Sequence, residues 1–265
     1  MAETTSGQGD PRRSMELLWD VAPTATSSPR GPRPALTVAA IVAVATDIAD
    51  NEGFDAVSMR AVGERLGRTA MALYTYVPSK GQLVDLMLDG AQTELDVAYD
   101  LRDGWRSAAR RWALDSWEFY LRHPWVHRVW TARPVLGPGS YAALERPAAV
   151  FAAAGLTGPD VMKVVGMVSA YVVGTTRQVT ELRAATAAAG QTEDQWWAVH
   201  SQLLAELVPD VDTRYPHLVQ AEQEGAFEFE HEPGEYLEQE TRNSFEFGLD
   251  RMLDGIAAYL TRTSA

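Results

Sequence analysis

The chain has 265 residues, of which 46% are hydrophobic and 22% charged, a composition typical of a globular protein that buries a sizeable core. It contains no cysteine, which excludes disulfides, thiolate metal sites and cysteine nucleophiles. No apolar run reaches the roughly 18 residues that span a bilayer, and residues 1–30 lack a signal-peptide pattern, so we expect a cytoplasmic protein with no membrane partner. The formal net charge of −13, taken over the whole chain, argues against nucleic acid as a partner.

The charge is distributed unevenly, and this weakens the argument against nucleic acid. Residues 30–80 carry six basic and five acidic side chains, a net charge of +1. Residues 81–265 carry 15 basic and 27 acidic side chains, a net charge of −12. The acidic residues therefore lie mostly in the C-terminal two-thirds of the chain. Within residues 30–80, basic and acidic side chains can occupy different faces of the structure.

The first 33 residues are rich in Ser, Thr, Pro and Gly, which predicts a flexible N-terminal tail over 1–33. The alternative for the segment MELLWD at 15–20 is that it docks locally. Arg30 and Arg33 lie at the end of this tail, just before the first long helical pattern. A basic arm in that place can reach phosphates or a minor groove. The alternative is a basic linker that makes no contact.

Helical patterning begins at Thr37, a candidate N-cap for a first helix. A second, short helix is predicted between the N-cap Ser58 and Gly67, and a third over Thr69–Val77. Ser79 then caps a longer fourth helix. The two short helices are too small to be stable alone and must pack on the first and fourth. This is the layout of a helix-turn-helix.

The remainder is predicted to be helix after helix, and alternating strand patterns are essentially absent. The predicted helices are Trp105–His123, Tyr141–Ala154, Pro159–Ala189, Glu193–Leu207 and Tyr236–Thr261. A brief alternation over 226–235 is acidic and isolated, which indicates a loop. The sequence therefore predicts an all-α protein.

Residues 57–80, VSMRAVGERLGRTAMALYTYVPSK, resemble the DNA-binding head of the tetracycline-repressor (TetR) family. A weaker resemblance to the C-terminal domain of that family is carried by HPWV at 123–126, ARP at 132–134, AAGL at 153–156 and FEFGLDRMLDGI at 245–256. Members of the family are all-helical homodimers in which a small molecule spreads the two DNA heads and releases the operator.

The resemblance implies a three-part chain. A flexible tail over 1–33 would precede a three-helix, helix-turn-helix DNA-binding domain over 34–82. A helical ligand-binding and dimerisation domain would occupy 83–265. The expected partners are double-stranded operator DNA, a small-molecule effector and a second copy of the chain.

The third predicted helix can enter the major groove and present its N-terminal residues to base edges. Arg60 lies on the preceding helix, where the resemblance implies a base contact, and arginine can bond a guanine bidentately. The resemblance gives Tyr74 and Tyr76 contacts with phosphates or bases and gives Lys80 a phosphate. The predicted DNA-binding residues are Ser58, Arg60, Thr69, Ala70, Met71, Ala72, Tyr74, Tyr76 and Lys80.

Residues 70–72 offer no side-chain hydrogen bonds, so readout there would rest on thymine methyl groups and on DNA shape. Alternatives are open for the other residues. Tyr74 and Tyr76 can be packing aromatics, and Arg60 can be a solvated charge.

Seven of the eight tryptophans lie between residues 105 and 197, and Tyr120, Tyr141 and Tyr171 belong to the same aromatic cluster. An aromatic, mostly apolar cavity between helices is the usual form of a small-molecule site, and an aromatic-rich core is the alternative. Arg177 and Gln178 lie in an otherwise apolar helix, where a buried polar side chain needs a partner such as a ligand. The predicted ligand-binding residues are Trp117, Tyr120, Trp130, Tyr171, Arg177 and Gln178.

The match departs from the tetracycline repressors themselves, which hold a drug–magnesium chelate with histidines and a glutamate. It places Leu95–Asp96 and Val129 where those histidines would fall, and Gln178 at or near the glutamate. We therefore expect no metal and no cofactor, and an effector that is largely apolar or aromatic.

The dimer interface is expected on the helix 159–189 and on the last helix. The last helix carries an apolar stripe at spacings of three and four. Paired across a two-fold axis, such a stripe makes a four-helix bundle, and packing within one chain is the alternative. The predicted interface residues are Phe245, Leu249, Met252, Leu253 and Ile256.

Enzyme and metal functions find little support in the sequence. His123 and His127 are four residues apart, but Pro124 starts a new helix between them and no carboxylate lies at matching spacing. There is no phosphate-binding glycine loop, no GxSxG motif and no convincing acid–base pair. The sequence thus predicts a ligand-responsive repressor of a palindromic operator. The alternative is a small-molecule binding or scavenging protein with a degenerate DNA-binding head.

Overall fold

The computed structural model describes residues 10–21, 36–129, 134–226, 228 and 236–263. Helix is the only regular secondary structure in those ranges, which confirms the all-α prediction. The helices are α1 (Pro11–Leu18), α2 (Val38–Glu52), α3 (Met59–Leu66), α4 (Ala70–Tyr74), α5 (Lys80–Gln92), α6 (Gly104–Arg122), α7 (Val126–Val129), α8 (Pro138–Ala153), α9 (Pro159–Ala189), α10 (Glu193–Leu207), α11 (Val211–Arg214), α12 (Pro216–Gln223) and α13 (Tyr236–Thr263). None of these described helices is both long enough and apolar enough to cross a membrane.

The chain divides into two compact units. The first contains residues 1–174 and 250–265, and the second contains residues 175–249. The two longest helices, α9 and α13, each contribute to both units.

The head consists of α2, α3 and α4 with the start of α5, and each helix begins at a capping hydroxyl. Thr37, Ser58, Thr69 and Ser79 each accept a hydrogen bond from the backbone N–H three residues later, over 3.1–3.3 Å. Such caps satisfy N–H groups that have no partner inside the helix. The sequence identified three of these hydroxyls as caps, and the structure confirms them.

The core of the head is apolar and fully enclosed. Its completely buried side chains include Ile41, Val62, Leu73, Val77 and Leu83, one or more from each helical segment. The short helices α3 and α4 cannot persist alone, so this shared core is what holds them in place.

The α3–α4 turn depends on two glycines. Gly67 ends α3 in the left-handed conformation, with φ +63° and ψ +35°. Gly63 faces the turn so closely that a Cβ atom there would lie 2.7 Å from the carbonyl oxygen of Arg68. The angle between α3 and α4 is therefore fixed by backbone packing, which no larger side chain at 63 would permit.

In the remainder of the first unit, α5 is fastened to the N-terminus of α8 by a buried carboxylate. Asp89 accepts hydrogen bonds from the backbone N–H groups of Ser140 (2.9 Å) and Gly139 (3.2 Å). A Cβ atom on Gly139 would lie 2.0 Å from the carbonyl oxygen of Asp89, so the two helices meet backbone to backbone. The residue before α8, Gly137, provides no side-chain cap, and Asp89 supplies that function from a different helix.

The second unit is held by charged and polar contacts between α9, α10 and α13. Arg183 bonds Glu238, with Nε donating over 2.9 Å, and the carboxylate of Glu193 accepts from the N–H of Leu237 over 2.7 Å. Helix α10 starts with a reciprocal capping box formed by Thr192 and Gln195. The short helices α11 and α12 lie between the predicted helices Glu193–Leu207 and Tyr236–Thr261, where the sequence analysis gave no helix.

One sequence prediction is corrected by the structure. Residues 11–18 of the predicted tail form α1, because this segment finds a long-range partner in Gln82, whose Nε2 donates to the hydroxyl of Ser14 over 3.1 Å. Residues 1–9 and 22–35, with Arg30 and Arg33, lie outside the described residues.

The predicted dimer stripe on α13 is covered within a single chain. Phe245, Leu249, Leu253 and Ile256 are at most 4% exposed there. These four side chains therefore pack within one chain, the alternative that the sequence left open, and Met252 of the predicted set is partly exposed. A dimer interface on these residues stays a prediction. The periodicity identified the buried face correctly, but periodicity does not specify which neighbour covers that face.

Candidate functional site

The residues predicted to contact DNA gather on one part of the head, around α4 and the starts of α3 and α5. Met71 projects from α4 with 75% of its surface exposed, and Tyr74 is 40% exposed on the same helix. Tyr76 is half-buried just beyond α4. Leu73 and Val77 are fully buried, as their spacing predicted. Helix α4 thus presents an apolar and aromatic surface with few hydrogen-bonding groups.

The hydroxyls of Ser58 and Thr69 each accept a helix-capping hydrogen bond, so both have a structural function in addition to the predicted DNA contact. Ala70 and Ala72 are half-buried on α4. DNA contacts by all nine predicted residues stay predictions.

The two cations of the predicted set are held differently. Arg60 extends into solvent and its Nε donates to Glu64 over 2.8 Å, a bond that raises the pKa of the guanidinium. Lys80 begins α5, and its ammonium lies 5.6 Å from the centroid of the Phe54 ring. Arg60 is exposed and Lys80 is half-buried. Arg60 must exchange Glu64 for a base in order to read one.

The remainder of the first unit after the head is here called the body. The head is joined to it by an aromatic and ionic contact with the corner between α6 and α7. Oδ1 of Asp50 accepts a hydrogen bond from Nε1 of Trp125 (2.7 Å) and lies 2.8 Å from Nδ1 of His123. The Phe54 and Trp125 rings are stacked, with centroids 6.5 Å apart. Because Trp125 and His123 are almost completely buried, this contact fixes the end of α2 on the body.

A second contact of the same joint is an exposed ion pair. Both terminal nitrogens of Arg128 lie 2.9 Å from the carboxylate oxygens of Asp55. This bidentate pairing lowers the pKa of Asp55 and raises that of Arg128. The guanidinium also lies 5.7 Å from the Phe54 centroid.

The body contains a cavity of about 560 Å³ bounded by α5, α6, α8, α9 and the segment before α8. Its wall is mainly aliphatic and aromatic, and two of its serine hydroxyls are already engaged: Ser116 donates to the carbonyl of Trp112 (2.8 Å), and Ser140 donates to Gln92 (2.6 Å). The residues in the wall are Leu88, Gln92, Leu95, Trp112, Ser116, Tyr120, Pro134, Val135, Leu136, Ser140, Tyr141, Ala143, Leu144, Ser169 and Val172. The size and lining are those of a site for a small, largely apolar molecule.

One predicted ligand-binding residue, Tyr120, lies in the wall of this cavity. Burial raises the pKa of its hydroxyl, so the phenol remains neutral near pH 7. Trp117 is also buried, at 1% exposed, but the cavity wall does not include it. Tyr171 precedes the wall residue Val172 and is half-buried. Trp130 lies outside the described residues.

The other two predicted ligand-binding residues lie in the second unit. Arg177 and Gln178 are exposed within one chain, and Arg177 donates to Glu181 over 2.7 Å. The cavity in the first unit does not include either residue.

Several wall residues were not predicted. Trp112 and Tyr141 belong to the aromatic cluster that suggested a pocket, but their sequence neighbourhood does not distinguish wall from core. Leu88 and Gln92 share one face of α5 at a spacing of four, which is the only local signal they carry. Helix packing, which sequence patterns do not give, decides which side chains border the cavity.

In the part of the chain that the structure describes, the histidine side chains do not cluster into a metal site. Each ring nitrogen of His123 faces a carboxylate, from Asp50 and Glu94, at 2.8 and 3.1 Å. His127 instead stacks on Tyr120, with ring centroids 5.1 Å apart. Over the described ranges, no group of three or more His, Asp or Glu side chains is arranged to hold a metal ion.

The comparisons with known proteins agree with this arrangement of a helix-turn-helix head on a body with a cavity. Residues 41–87 match the domain described as "Bacterial regulatory proteins, tetR family". Residues 100–260 match the domain described as "Tetracyclin repressor-like, C-terminal domain". The chain belongs to the TetR family. It is therefore a DNA-binding transcriptional regulator, as the sequence predicted.

One TetR-family relative is similar over nearly the whole chain. The HTH-type transcriptional repressor DrrR1 of Streptomyces coeruleorubidus is 37% identical over 254 residues, which is 95% of this chain and 87% of that protein. An HTH-type transcriptional regulator of Saccharopolyspora erythraea is 33% identical over 142 residues, which is 54% of this chain and 60% of the relative.

Solved TetR-family structures share the fold. The structure of Streptomyces coelicolor ActR in complex with actinorhodin has a TM-score of 0.65 and 24% identity, covering 87% of this chain and 99% of that one. A glutamine-to-alanine variant of TetR from Acinetobacter baumannii in complex with minocycline has a TM-score of 0.57 and 19% identity, covering 85% of this chain and 98% of that one.

Proposed function

We propose that this regulator is a homodimeric repressor, released from a palindromic operator by a small, neutral, largely apolar or aromatic effector bound in the cavity. The observation that carries the proposal is that one helix, α5, contains a residue of the predicted DNA surface and two residues of the cavity wall. Lys80 at its start belongs to the predicted DNA surface, and Leu88 and Gln92 near its end lie in the cavity wall.

The chemistry of the wall supports the nature of the effector. Its described residues include no charged side chain, so a charged group buried there would lack a counter-ion. The structurally similar ActR protein was solved with actinorhodin, which supports an organic small molecule as the effector. The similarity to the repressor DrrR1 supports repression as the direction of control.

Release requires that the effector prefer the head arrangement that cannot bind the operator. An effector with equal affinity for both arrangements would shift nothing, however tightly it bound. The joint at Asp50 and the cap at Asp89 supply the rigid connections through which α5, α6 and α8 can transmit such a preference.

Dimerisation is proposed for the exposed apolar faces of α9 and α13 rather than for the buried stripe. Met162 and Met167 on α9 are 49% and 45% exposed, and Phe247 on α13 is 66% exposed. Apolar side chains of this exposure are typical of an interface core. Analytical ultracentrifugation should show a dimer that Phe247→Ser weakens and that Leu218→Ser, a change at a similarly exposed leucine on α12, does not.

The experiment that tests the regulatory function starts from a random duplex library. Repeated selection on the full-length protein, with excess non-specific competitor, should enrich one palindromic sequence. Gel shifts at several salt concentrations then compare Arg60→Ala and Lys80→Ala with the control Arg214→Ala, an exposed arginine on α11. We expect Lys80→Ala to weaken binding evenly and to lower the salt slope by about one, and Arg60→Ala to cost about 1–3 kcal/mol and relax specificity.

Two results would refute the proposal. If selection enriches no sequence, the head does not read DNA and the chain is a small-molecule binding protein. If the operator binds but neither actinorhodin, minocycline nor a panel of neutral aromatic compounds releases it, effector control by this cavity is wrong.

A further inference from the structure

Helix α1 is anchored beside the cavity, although it precedes both family-matched segments. The hydroxyl of Ser14 accepts a hydrogen bond from Gln82, a residue of α5 that is only 4% exposed. Leu17 and Leu18 line a small crevice together with Asp85 on the same helix as Gln82. Helix α1 begins at the N-cap Asp10 and the described segment continues only to residue 21.

Trp19, directly after α1, contacts two residues of the cavity wall. Its indole N–H donates to the carbonyl oxygen of Leu136 over 2.8 Å. Its ring meets that of Tyr141 edge to face, with centroids 5.9 Å apart and an interplanar angle of 63°. Asp20, which follows, has φ +47°, so the backbone turns immediately after the indole.

These contacts lie on the open side of the cavity. Leu136, Tyr141 and Leu144 are wall residues, and they are 47%, 56% and 48% exposed. Trp112, Ser116 and Val172, wall residues of α6 and α9, are buried. A molecule that fills the cavity therefore meets solvent next to the indole, which is itself 43% exposed.

We infer that Trp19 is part of the effector site, where it covers the open side of the cavity, slows release of the effector and contributes to the choice of effector. The inference rests on the proposed effector function of the cavity and adds a residue outside the segments 41–87 and 100–260 that match the family. A bound aromatic ring can pack against the indole as Tyr141 does, and the hydrogen bond to Leu136 orients the indole for that contact.

The test measures release of a defined probe, the neutral fluorescent dye N-phenyl-1-naphthylamine, from the full-length protein. Stopped-flow dilution gives the dissociation rate for the parent protein, Trp19→Ala and Trp19→Phe. Met15→Ala is the matched control, because Met15 is a 39% exposed residue of the adjoining helix α1. Ala143 is a half-buried wall residue on α8, and a phenylalanine there would fill part of the cavity. Ala143→Phe therefore shows whether the dye occupies this cavity.

We expect Trp19→Ala to release the dye about three- to tenfold faster, Trp19→Phe to lie in between, and Met15→Ala to match the parent. Ala143→Phe should abolish dye binding. Loss of binding in Ala143→Phe together with a parent-like rate in Trp19→Ala would overturn the role of Trp19 and leave the cavity in place. Parent-like binding in Ala143→Phe would overturn the effector cavity itself, and the role of Trp19 with it.

Discussion

Replacement of Asp89 tests the buried cap that joins α5 to α8. Asp89 is 5% exposed and accepts two hydrogen bonds, from the backbone N–H groups of Gly139 and Ser140. Asp89→Ala leaves both groups unsatisfied, and each buried donor costs about 1–3 kcal/mol. We therefore expect a loss of about 2–4 kcal/mol in the free energy of unfolding. Asp89→Asn keeps one oxygen acceptor but loses the charge that faces the helix N-terminus, and we expect it to cost about 1–2 kcal/mol.

The chain provides a matched control for this prediction. Asp96, just after α5, pairs with Arg146 on α8 over 2.6 Å, but both side chains are substantially exposed. Asp96→Asn is the same chemical change at a second contact with α8. Because exposed ion pairs contribute about 0–1 kcal/mol, we expect this variant to lose no more than that in the free energy of unfolding. Urea unfolding followed by circular dichroism at one fixed protein concentration gives the three free energies.

Equal losses of unfolding free energy in Asp89→Asn and Asp96→Asn would refute this reasoning. If Asp89→Asn is no more destabilising than Asp96→Asn, the buried cap does not hold α8 in the way its hydrogen bonds indicate. The same variants also test the transmission of effector binding. Because Ser140 and Tyr141 in the first turn of α8 border the cavity, Asp89→Asn should retain operator affinity in the absence of effector while responding less to it.

Two further predictions concern the head and its joint. Because Arg128 lowers the pKa of Asp55 below 3.8, their ion pair stabilises the fold above about pH 4 and is lost as the pH falls through the lowered pKa. The melting temperature of Asp55→Asn should therefore lie slightly below that of the parent at neutral pH and converge with it only below about pH 4; convergence above about pH 5 would contradict the pairing. Gly63→Ala places a Cβ atom 2.7 Å from a carbonyl oxygen and should cost about 1–3 kcal/mol in urea unfolding and weaken operator binding. Gly90→Ala in α5, where the nearest atom is 3.6 Å away, is the control and should stabilise the protein by up to about 1 kcal/mol; equal effects would show that the α3–α4 turn is not tightly packed.

Local chemistry made much of the fold predictable. Helices α9 and α10 have the bounds that the sequence predicts, Pro159–Ala189 and Glu193–Leu207, because proline, glycine and capping residues mark their ends. The caps at Thr37 and Ser58 were likewise readable from residue type and position.

Long-range packing accounts for what the sequence did not predict. An eight-residue helix such as α1 is unstable alone, and its docking depends on Gln82, 68 residues away from Ser14. The sequence could not identify the cavity wall for the same reason. Tyr120 borders the cavity, and Trp117, one turn earlier on α6, does not. Both are buried aromatic side chains, and only the arrangement of α5, α8 and α9 around them distinguishes their roles.

The 13-residue length of α5 has an evolutionary consequence. Lys80 and Asp89 are nine positions apart, which corresponds to about 13 Å along the helix axis, too short a distance for a helix to absorb by bending. The residues predicted to face DNA lie on α3, α4 and the start of α5, and most of the cavity wall lies on α6, α8 and α9. Substitutions can therefore change the effector or the operator separately while this rigid segment preserves the connection, so that descendants can combine old operators with new signals.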